Sequence, residues 1–178
     1  SSESEVSNQG FDWVKPESWI KFEGSSMRLA SFHVPYSYGL GELSVFVLDG
    51  DGGGVIANVN RWRGQIGLPS QSLIEINTSA DNKENDLGQY QIFKIINRVD
   101  FNQAFICAIM PLESRTIFVK LNIEKIGINE VENDFLDFFL LPTYEEVLNG
   151  DLKAFPKFKS LLSSIKKFKR IFHTNKFK

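Results

Sequence analysis

Two adjoining stretches of this 178-residue chain hold many of the side chains that could do chemistry. The first, DGDGGG at 49–54, begins like a calcium loop, with carboxylates at its first and third positions. Its fifth and seventh positions are Gly53 and Val55, and the twelfth is Asn60 in place of a bidentate glutamate. A glycine-rich turn is therefore favoured over a metal site. The same glycines could offer backbone N–H groups to an anion, but no nucleotide-binding fingerprint accompanies them.

The second stretch, NVNRWRGQ at 58–65, concentrates amide and guanidinium groups with no carboxylate to balance them. The polar residues that we call the NVNRWRGQ face are Asn58, Asn60, Arg61, Arg63 and Gln65. A guanidinium fork suits carboxylate and phosphate oxygens, which makes this face a candidate for ligand or partner binding. Alternatively, these side chains hold neighbouring loops, with the arginines bonded to Asp49, Asp51 or backbone carbonyls. The sequence favours loop holding over ligand binding.

Nucleophilic, redox and zinc chemistry have little support in the sequence. Cys107, the single cysteine, lies inside the apolar run AFICAIM, where thiols are usually inert. His33 and His173 lie far apart in sequence, with no motif near either. Two histidines and one cysteine lack the spacing of a zinc site. We therefore expect no enzyme, no catalytic residues, no metal and no cofactor.

The element that carries the NVNRWRGQ face is predicted to be an α-helix between Gly52 and Pro69. Its apolar residues recur at spacings of four, three and four: Val55, Val59, Trp62 and Ile66. Gly67 suits the left-handed conformation that ends helices, and the following proline cannot continue the hydrogen-bond ladder. Residues 70–76 are predicted to add a short helical turn.

Other segments predict a sheet around this helix. The predicted strands are 27–34, 43–48, 89–96, 104–110 and 115–123, with loops at 35–42 and 77–88. AFICAIM is apolar at every position, as in a central strand that is covered on both faces. Residues 11–23 form an aromatic segment expected to pack across the sheet. Asn129 is predicted to cap a helix at 130–141 that buries Val131, Phe135, Phe138 and Phe139. This order of elements predicts an α+β fold, an antiparallel sheet with helices packed on it.

Charge divides the chain into an acidic body and a basic end. Residues 151–178 hold nine Lys/Arg and one Asp, whereas residues 1–150 have a net charge of −10. We predict a flexible N-terminal tether at 1–10, a domain at 11–141 and a helical basic extension at 142–178. No apolar run is long enough to span a bilayer.

The basic extension is predicted to be an amphipathic helix that docks on a membrane surface or a protein partner. The residues assigned to this docking are Phe158, Leu162, Ile165, Lys166, Lys167, Phe168, Lys169, Arg170 and Phe172. Alternatively, the apolar stripe packs on its own domain and the lysines are merely solvated. No nucleic-acid partner is expected, because the body of the chain is acidic.

Two segments carry a family resemblance. MRLASF at 27–32 and NVNRWRGQIGLP at 58–69 resemble the MRxASF strand and the GG-x-x-ANVNRWRGQ-x-GLP helix of an uncharacterised bacterial family of secreted proteins and lipoproteins. The order of elements is also similar to the PsbP/Mog1/DcrB-like α/β/α sandwich. The resemblance covers residues 13–141 and implies an extracytoplasmic location and a small accessory or binding module. It supplies no catalytic residues, and residues 142–178 extend beyond it.

These observations predict a non-catalytic accessory subunit or lipoprotein of the periplasm or cell envelope. It would dock on a larger membrane-associated assembly, and a lipidated cysteine upstream of Ser1 would anchor it. The alternative is an extracytoplasmic module that binds a small ligand or anion. A deep pocket lined by Arg61 and Arg63 would favour that alternative.

Overall fold

The structure, a computed structural model, describes residues 11–12, 15–85, 88–99, 102–138 and 141–142. The strands in these ranges are β1 (Phe11–Asp12), β2 (Ile20–Phe22), β3 (Ala30–Tyr36), β4 (Gly39–Asp49), β5 (Asp81–Asn85), β6 (Gly88–Ile96), β7 (Ala104–Pro111), β8 (Arg115–Ile123) and β9 (Leu141–Pro142). The helices are α1 (Val55–Gln65), α2 (Leu73–Ser79) and α3 (Lys125–Asp137).

A seven-stranded antiparallel sheet forms the centre of the fold, in the order β2-β3-β4-β8-β7-β6-β5. A separate two-stranded ribbon pairs β1 with β9. The prediction of an α+β fold with an antiparallel sheet and helices packed on it is confirmed.

Side-chain alternation in β7 shows why helices lie on both faces of the sheet. Every residue from Ala104 to Met110 is buried. Ala104, Ile106, Ala108 and Met110 join the core beneath α3, which includes Ile128, Val131 and Phe135. Phe105, Cys107 and Ile109 join a second core beneath α1 and α2, which includes Val59, Trp62 and Ile76. The prediction for AFICAIM is therefore confirmed, and the molecule has three layers.

Helix α1 ends as its sequence predicts. Gly67 has a φ of 72°. The Gly67 N–H donates to the Gly64 carbonyl at 3.1 Å, and the Leu68 N–H donates to the Arg63 carbonyl at 2.9 Å. This pair of bonds is a Schellman motif, which satisfies the last carbonyls of the helix. The helix begins after Gly54, and its predicted apolar stripe is buried at Val59, Trp62 and Ile66.

The aromatic segment at 11–23 packs as expected where the structure describes its side chains. Trp19 is buried and contacts Phe138, with ring centroids 4.9 Å apart. It also lies 6.4 Å from the ring of Phe32 on β3. The segment thus closes the α3 side of the sheet near β2.

Three predictions about boundaries are wrong. The predicted loop at 77–88 contains β5. This strand lacks the alternation of apolar and polar residues that predicts a strand, because it lies at the edge of the sheet and its side chains are polar and mostly exposed. The predicted loop at 35–42 is mostly strand, since Tyr36 pairs with Gly39 and leaves a two-residue turn. Helix α3 starts at Lys125 because Glu124, not Asn129, is its N-cap; Asn129 is an exposed residue inside the helix. Of its predicted inward residues, Phe139 lies outside the described ranges.

Trp62 provides a test of this packing. Trp62→Ala should lower the free energy of unfolding by about 3–5 kcal/mol, because it removes buried area and leaves a cavity against Phe118. Chemical denaturation monitored by circular dichroism measures the change. Ile74→Ala, at a residue that is 77% exposed on α2, is the control and should change stability by less than about 0.5 kcal/mol. Equal effects of the two substitutions would contradict the placement of α1.

Candidate functional site

The two asparagines of the NVNRWRGQ face bond to backbone on either side of α1. Asn58 is buried, and its amide nitrogen donates to the carbonyls of Gly52 at 3.0 Å and Gly54 at 2.7 Å. Asn60 donates to the Gln71 carbonyl at 3.0 Å and accepts from the Gln71 N–H at 2.8 Å. Asn58 therefore fixes the entry to α1, and Asn60 fixes the connection to α2.

The remaining residues of the NVNRWRGQ face also contact their own domain. Arg63 Nε donates to the Pro69 carbonyl at 2.8 Å, and Gln65 Oε1 accepts from Lys120 Nζ on β8. Arg61, an exposed residue, donates from Nη2 to Asn58 Oδ1. Of the partners predicted for the arginines, which were Asp49, Asp51 or backbone carbonyls, Arg63 has a backbone carbonyl, whereas Arg61 bonds to an asparagine. Most of this face holds loops, and Arg61 extends toward solvent.

A row of polar residues crosses the sheet on the α1 side, beside this helix. The register places Ser31, Ser44, Lys120 and Cys107 side by side on β3, β4, β8 and β7. Directly opposed residues of antiparallel strands share a face, and Cys107 belongs to the core beneath α1. Ser31 and Ser44 are both buried, with exposures of 1% and 6%. These four residues therefore form a polar row on this face of the sheet, at the edge of the area that α1 covers.

Lys120 is the charged member of this row. Its Nζ lies 4.0 Å from the centroid of the Phe105 ring while it donates to Gln65. Burial lowers the pKa of Lys120 below its ordinary value; Arg28 and Arg61 also lower it, whereas Cys107 and Glu42 raise it. Lys120 is thus a partly desolvated ammonium whose pKa is lowered chiefly by burial.

Arg28 completes what we call the cationic cluster, Arg28, Arg61 and Lys120. Arg28 lies in the β2–β3 connection, forms an ion pair with Glu42 on β4, and stands 6.0 Å from the centre of the Phe46 ring. The sequence analysis missed Arg28 and Lys120 as site residues. The available signal was Lys120 itself, a cation between the apolar residues Val119 and Leu121 in the middle of a strand.

The two candidate nucleophile or metal residues that the structure describes, Cys107 and His33, are not brought together. Cys107 is fully buried, and burial raises the pKa of its thiol. His33 stacks on Phe22, with ring centroids 4.1 Å apart. Three strand steps separate β7 from β3, so Cys107 and His33 lie at least about 14 Å apart. His173 lies outside the described residues.

The DGDGGG segment folds as a glycine turn. The Gly53 N–H donates to Asp51 Oδ1 at 2.9 Å, and the Gly54 N–H donates to the Asp51 carbonyl at 3.0 Å. Asp51 thus bonds within its own loop. Across the described ranges, no group of three or more His, Cys, Asp or Glu side chains is placed to hold a metal ion.

Arg63 lines a cavity of about 300 Å³ between α1, α2 and β6, together with Val59, Phe93 and Arg98. Arg61 is not among its lining residues, so this cavity does not join the two arginines as a ligand pocket was expected to do. A second cavity, of about 510 Å³, lies at the β2–β3 connection and is lined by Arg28 and Ser31 among others.

The predicted docking residues of the basic extension, from Phe158 to Phe172, lie outside the described residues. Among the helices that are described, none combines the length and apolarity needed to cross a bilayer.

Comparison with known proteins adds a distant structural likeness. No protein-family profile matches the chain, and no curated protein matches it. A crystal structure of a protein from Bacteroides thetaiotaomicron VPI-5482, at 1.50 Å resolution, is similar with a TM-score of 0.49 and 14% sequence identity. The match covers 78% of this chain and 47% of that protein, so the chain spans about half the length of its structural neighbour.

Loop holding by the NVNRWRGQ face predicts the effect of Asn60→Ala. The substitution should lower the free energy of unfolding by about 1–3 kcal/mol, because the backbone groups of Gln71 lose two hydrogen bonds. Urea unfolding measures the change. Asn133→Ala, at an exposed position of α3, is the matched control and should leave stability nearly unchanged. No difference between the variants would argue that Asn60 holds nothing.

The lowered pKa of Lys120 predicts a dependence of stability on pH. The unfolded chain binds the Lys120 proton more tightly than the native one, so this lysine's contribution to stability rises as pH increases through its native pKa. The stability of the wild type relative to Lys120→Met should therefore increase between pH 7 and pH 10. Burial raises the pKa of the Cys107 thiol and Lys120 lowers it, so both proteins carry Cys107→Ala in this comparison. A pH-independent difference would contradict the desolvation of Lys120.

Proposed function

We propose that this chain is a non-catalytic accessory subunit that docks on a larger membrane-associated assembly of the cell envelope. The observation that carries the proposal is an incompletely covered half of the sheet on the α1 side. We call the apolar and aromatic residues of β2, β3 and β4 on this side the open face: Ile20, Phe22, His33, Leu40, Phe46 and Leu48.

Exposure distinguishes the open face from the rest of the sheet. Ile20 is 58% exposed and Leu40 is 62% exposed. Phe46 packs at the margin of the core beneath α1, whereas Leu48 remains partly exposed beyond it. Within the described part of the chain, α1 and α2 pack mainly with residues of β6, β7 and β8, and so leave Ile20, Leu40 and Leu48 exposed. An apolar patch of this kind marks a contact surface.

A protein partner suits the open face because the surface combines aliphatic and aromatic side chains with polar residues at its border. Interface cores are enriched in aromatic residues, and their rims are polar. Arg28 and Glu42 lie at that border and pair with each other. The NVNRWRGQ face is less suited to be the primary contact, since four of its five side chains bond to backbone or to β8.

The envelope location and a lipid anchor rest on the resemblance of MRLASF and NVNRWRGQIGLP and on the polar composition of residues 1–10. The basic extension offers a second contact, either with the partner or with an anionic membrane surface. A small-ligand or anion-binding module is the alternative, and the observation that favours it is the cationic cluster.

Leu40→Glu tests the docking proposal directly. The full chain and its variants are expressed at native level, crosslinked in cells and purified through a tag. The same partner should be recovered with the wild type and with Ile74→Glu, a control that also puts a carboxylate at an exposed apolar position. It should be lost with Leu40→Glu, because a carboxylate cannot be buried unpaired in an interface.

Removal of residues 151–178 distinguishes binding of a partner by the open face from covering of that face by the basic extension. If the open face binds the partner, this deletion leaves partner recovery sensitive to Leu40→Glu. If the deletion instead exposes a face that the extension normally covers, both changes alter the stability of the purified chain and neither alters recovery. That result, or equal recovery with all variants, would contradict the proposal.

A further inference from the structure

We propose that the cationic cluster is a binding site for a phosphate group, located on the α1 side of β4 and β8 beside the open face. The site is independent of the docking proposal, since it depends on Arg28, Arg61 and Lys120 and not on the apolar residues.

Unbalanced charge is the first argument. The three cations come from three separate elements: the β2–β3 connection, α1 and β8. Lys120 bonds to Gln65, one helical turn from Arg61, and Arg28 pairs with Glu42, two residues along β4 from the residue that opposes Lys120. One carboxylate, Glu42, is paired within the cluster, which leaves an excess of two positive charges. Arg28 is only 27% exposed at its side chain, and Lys120 is partly buried under α1. Arg28 is paired with Glu42 and Arg61 is exposed, so the desolvation cost falls mainly on Lys120, which has no carboxylate partner among the described residues. A dianion beside Lys120 would offset that cost.

The donor groups are the second argument. Arg28 bonds to Glu42 through Nη1, and Arg61 bonds to Asn58 through Nη2. Each guanidinium has five N–H donors, so both retain donors for an oxyanion. Lys120 donates to Gln65 and has two further N–H groups. Planar guanidinium forks match phosphate oxygens in a bidentate way.

An unpaired hydroxyl is the third argument. Ser31 Oγ is buried and has no hydrogen-bond partner among the residues that the structure describes. It lies in the same row as Ser44 and Lys120, and buried polar atoms are nearly always satisfied. Ser31 and Lys120 lie two strand steps apart, about 10 Å, so this hydroxyl would bond the part of a phosphate ester that occupies the adjoining cavity and not the phosphate group at Lys120.

The adjoining cavity at the β2–β3 connection offers room for the rest of a ligand. Its volume is about 510 Å³, and Arg28 and Ser31 line it together with Lys21 and Glu23. Arg61 and Lys120 are not among its lining residues, so Arg28 is the cation that joins the cavity to the cluster. The shared chemistry is a phosphate dianion, either as inorganic phosphate or as a small phosphate monoester whose organic part occupies this cavity. Two positive charges in excess favour such a dianion over a monocarboxylate.

The experiment measures binding of inorganic phosphate to the full chain by isothermal titration calorimetry at constant ionic strength. Arg61→Gln is the test variant, because this exposed residue can change without cost to the core. Affinity should fall by about tenfold or more, since a charge-assisted hydrogen bond is worth at least that factor. Arg98→Gln is the matched control; it is also exposed but lines the separate cavity with Arg63. Glycerol 2-phosphate and acetate are titrated alongside.

A second readout locates the ligand. Lysine side-chain NMR should show the pKa of Lys120 rising when phosphate binds, because an adjacent dianion stabilises the ammonium. Tighter binding of glycerol 2-phosphate than of phosphate would identify the ester as the ligand, and equal binding would identify the free ion. Four results would overturn the proposal: no binding at millimolar phosphate, equal affinity for acetate, greater loss in Arg98→Gln than in Arg61→Gln, or binding without a change at Lys120.

Discussion

The fold depends on a central part of the sheet that must be hidden from water on both sides. Strand β7 is buried from Ala104 to Met110, and its neighbour β8 is buried at most positions. A strand of this composition cannot lie at a surface, so one helical layer forms on each face. On one side this layer is α3, and on the other it is α1 with α2. The edge-to-face contact of Trp62 with Phe118 joins α1 to the sheet.

The helical layer on the α1 side is narrower than the sheet. This difference in width leaves room for the open face and the cationic cluster. At the edge of the contact between α1 and the sheet, Lys120 Nζ lies over the Phe105 ring and donates to Gln65. Beyond it, β4 and β2 present the exposed aliphatic side chains Leu40, Leu48 and Ile20, and the buried serines Ser44 and Ser31 lie on the same face. A phosphate site and a partner surface would thus share one border, where a bound anion could alter the charge that a docking protein meets.

The sequence was sufficient for the main elements because their signals are local. The stripe of α1, the Schellman ending at Gly67 and the two-sided burial of AFICAIM follow from spacing and residue type. Strand β5 could not be found in this way, because an edge strand needs no apolar alternation. The start of α3 was misplaced because Asn129 is a good capping residue by type, while Glu124 holds that position in the structure.

The candidate site could be predicted only in part from the sequence, because some of its residues are brought together only by the fold. Arg61 and Gln65 stand in one stretch and could be named from their composition. Arg28 and Lys120 are distant in sequence from that stretch, and only strand register brings them to it. The partners of Asn58 and Asn60 are backbone groups, which any residue type supplies, so no pattern of side chains could reveal them.

The burial of Cys107 gives the protein a natural reporter of its own opening. It is the single thiol of the chain, it is fully buried in β7, and burial keeps it protonated. Alkylating reagents attack the thiolate, so labelling requires that the sheet separate from α1 or unfold. The rate at which an alkylating reagent traps this thiol therefore measures how often the centre of the sheet opens, with no substitution in the chain.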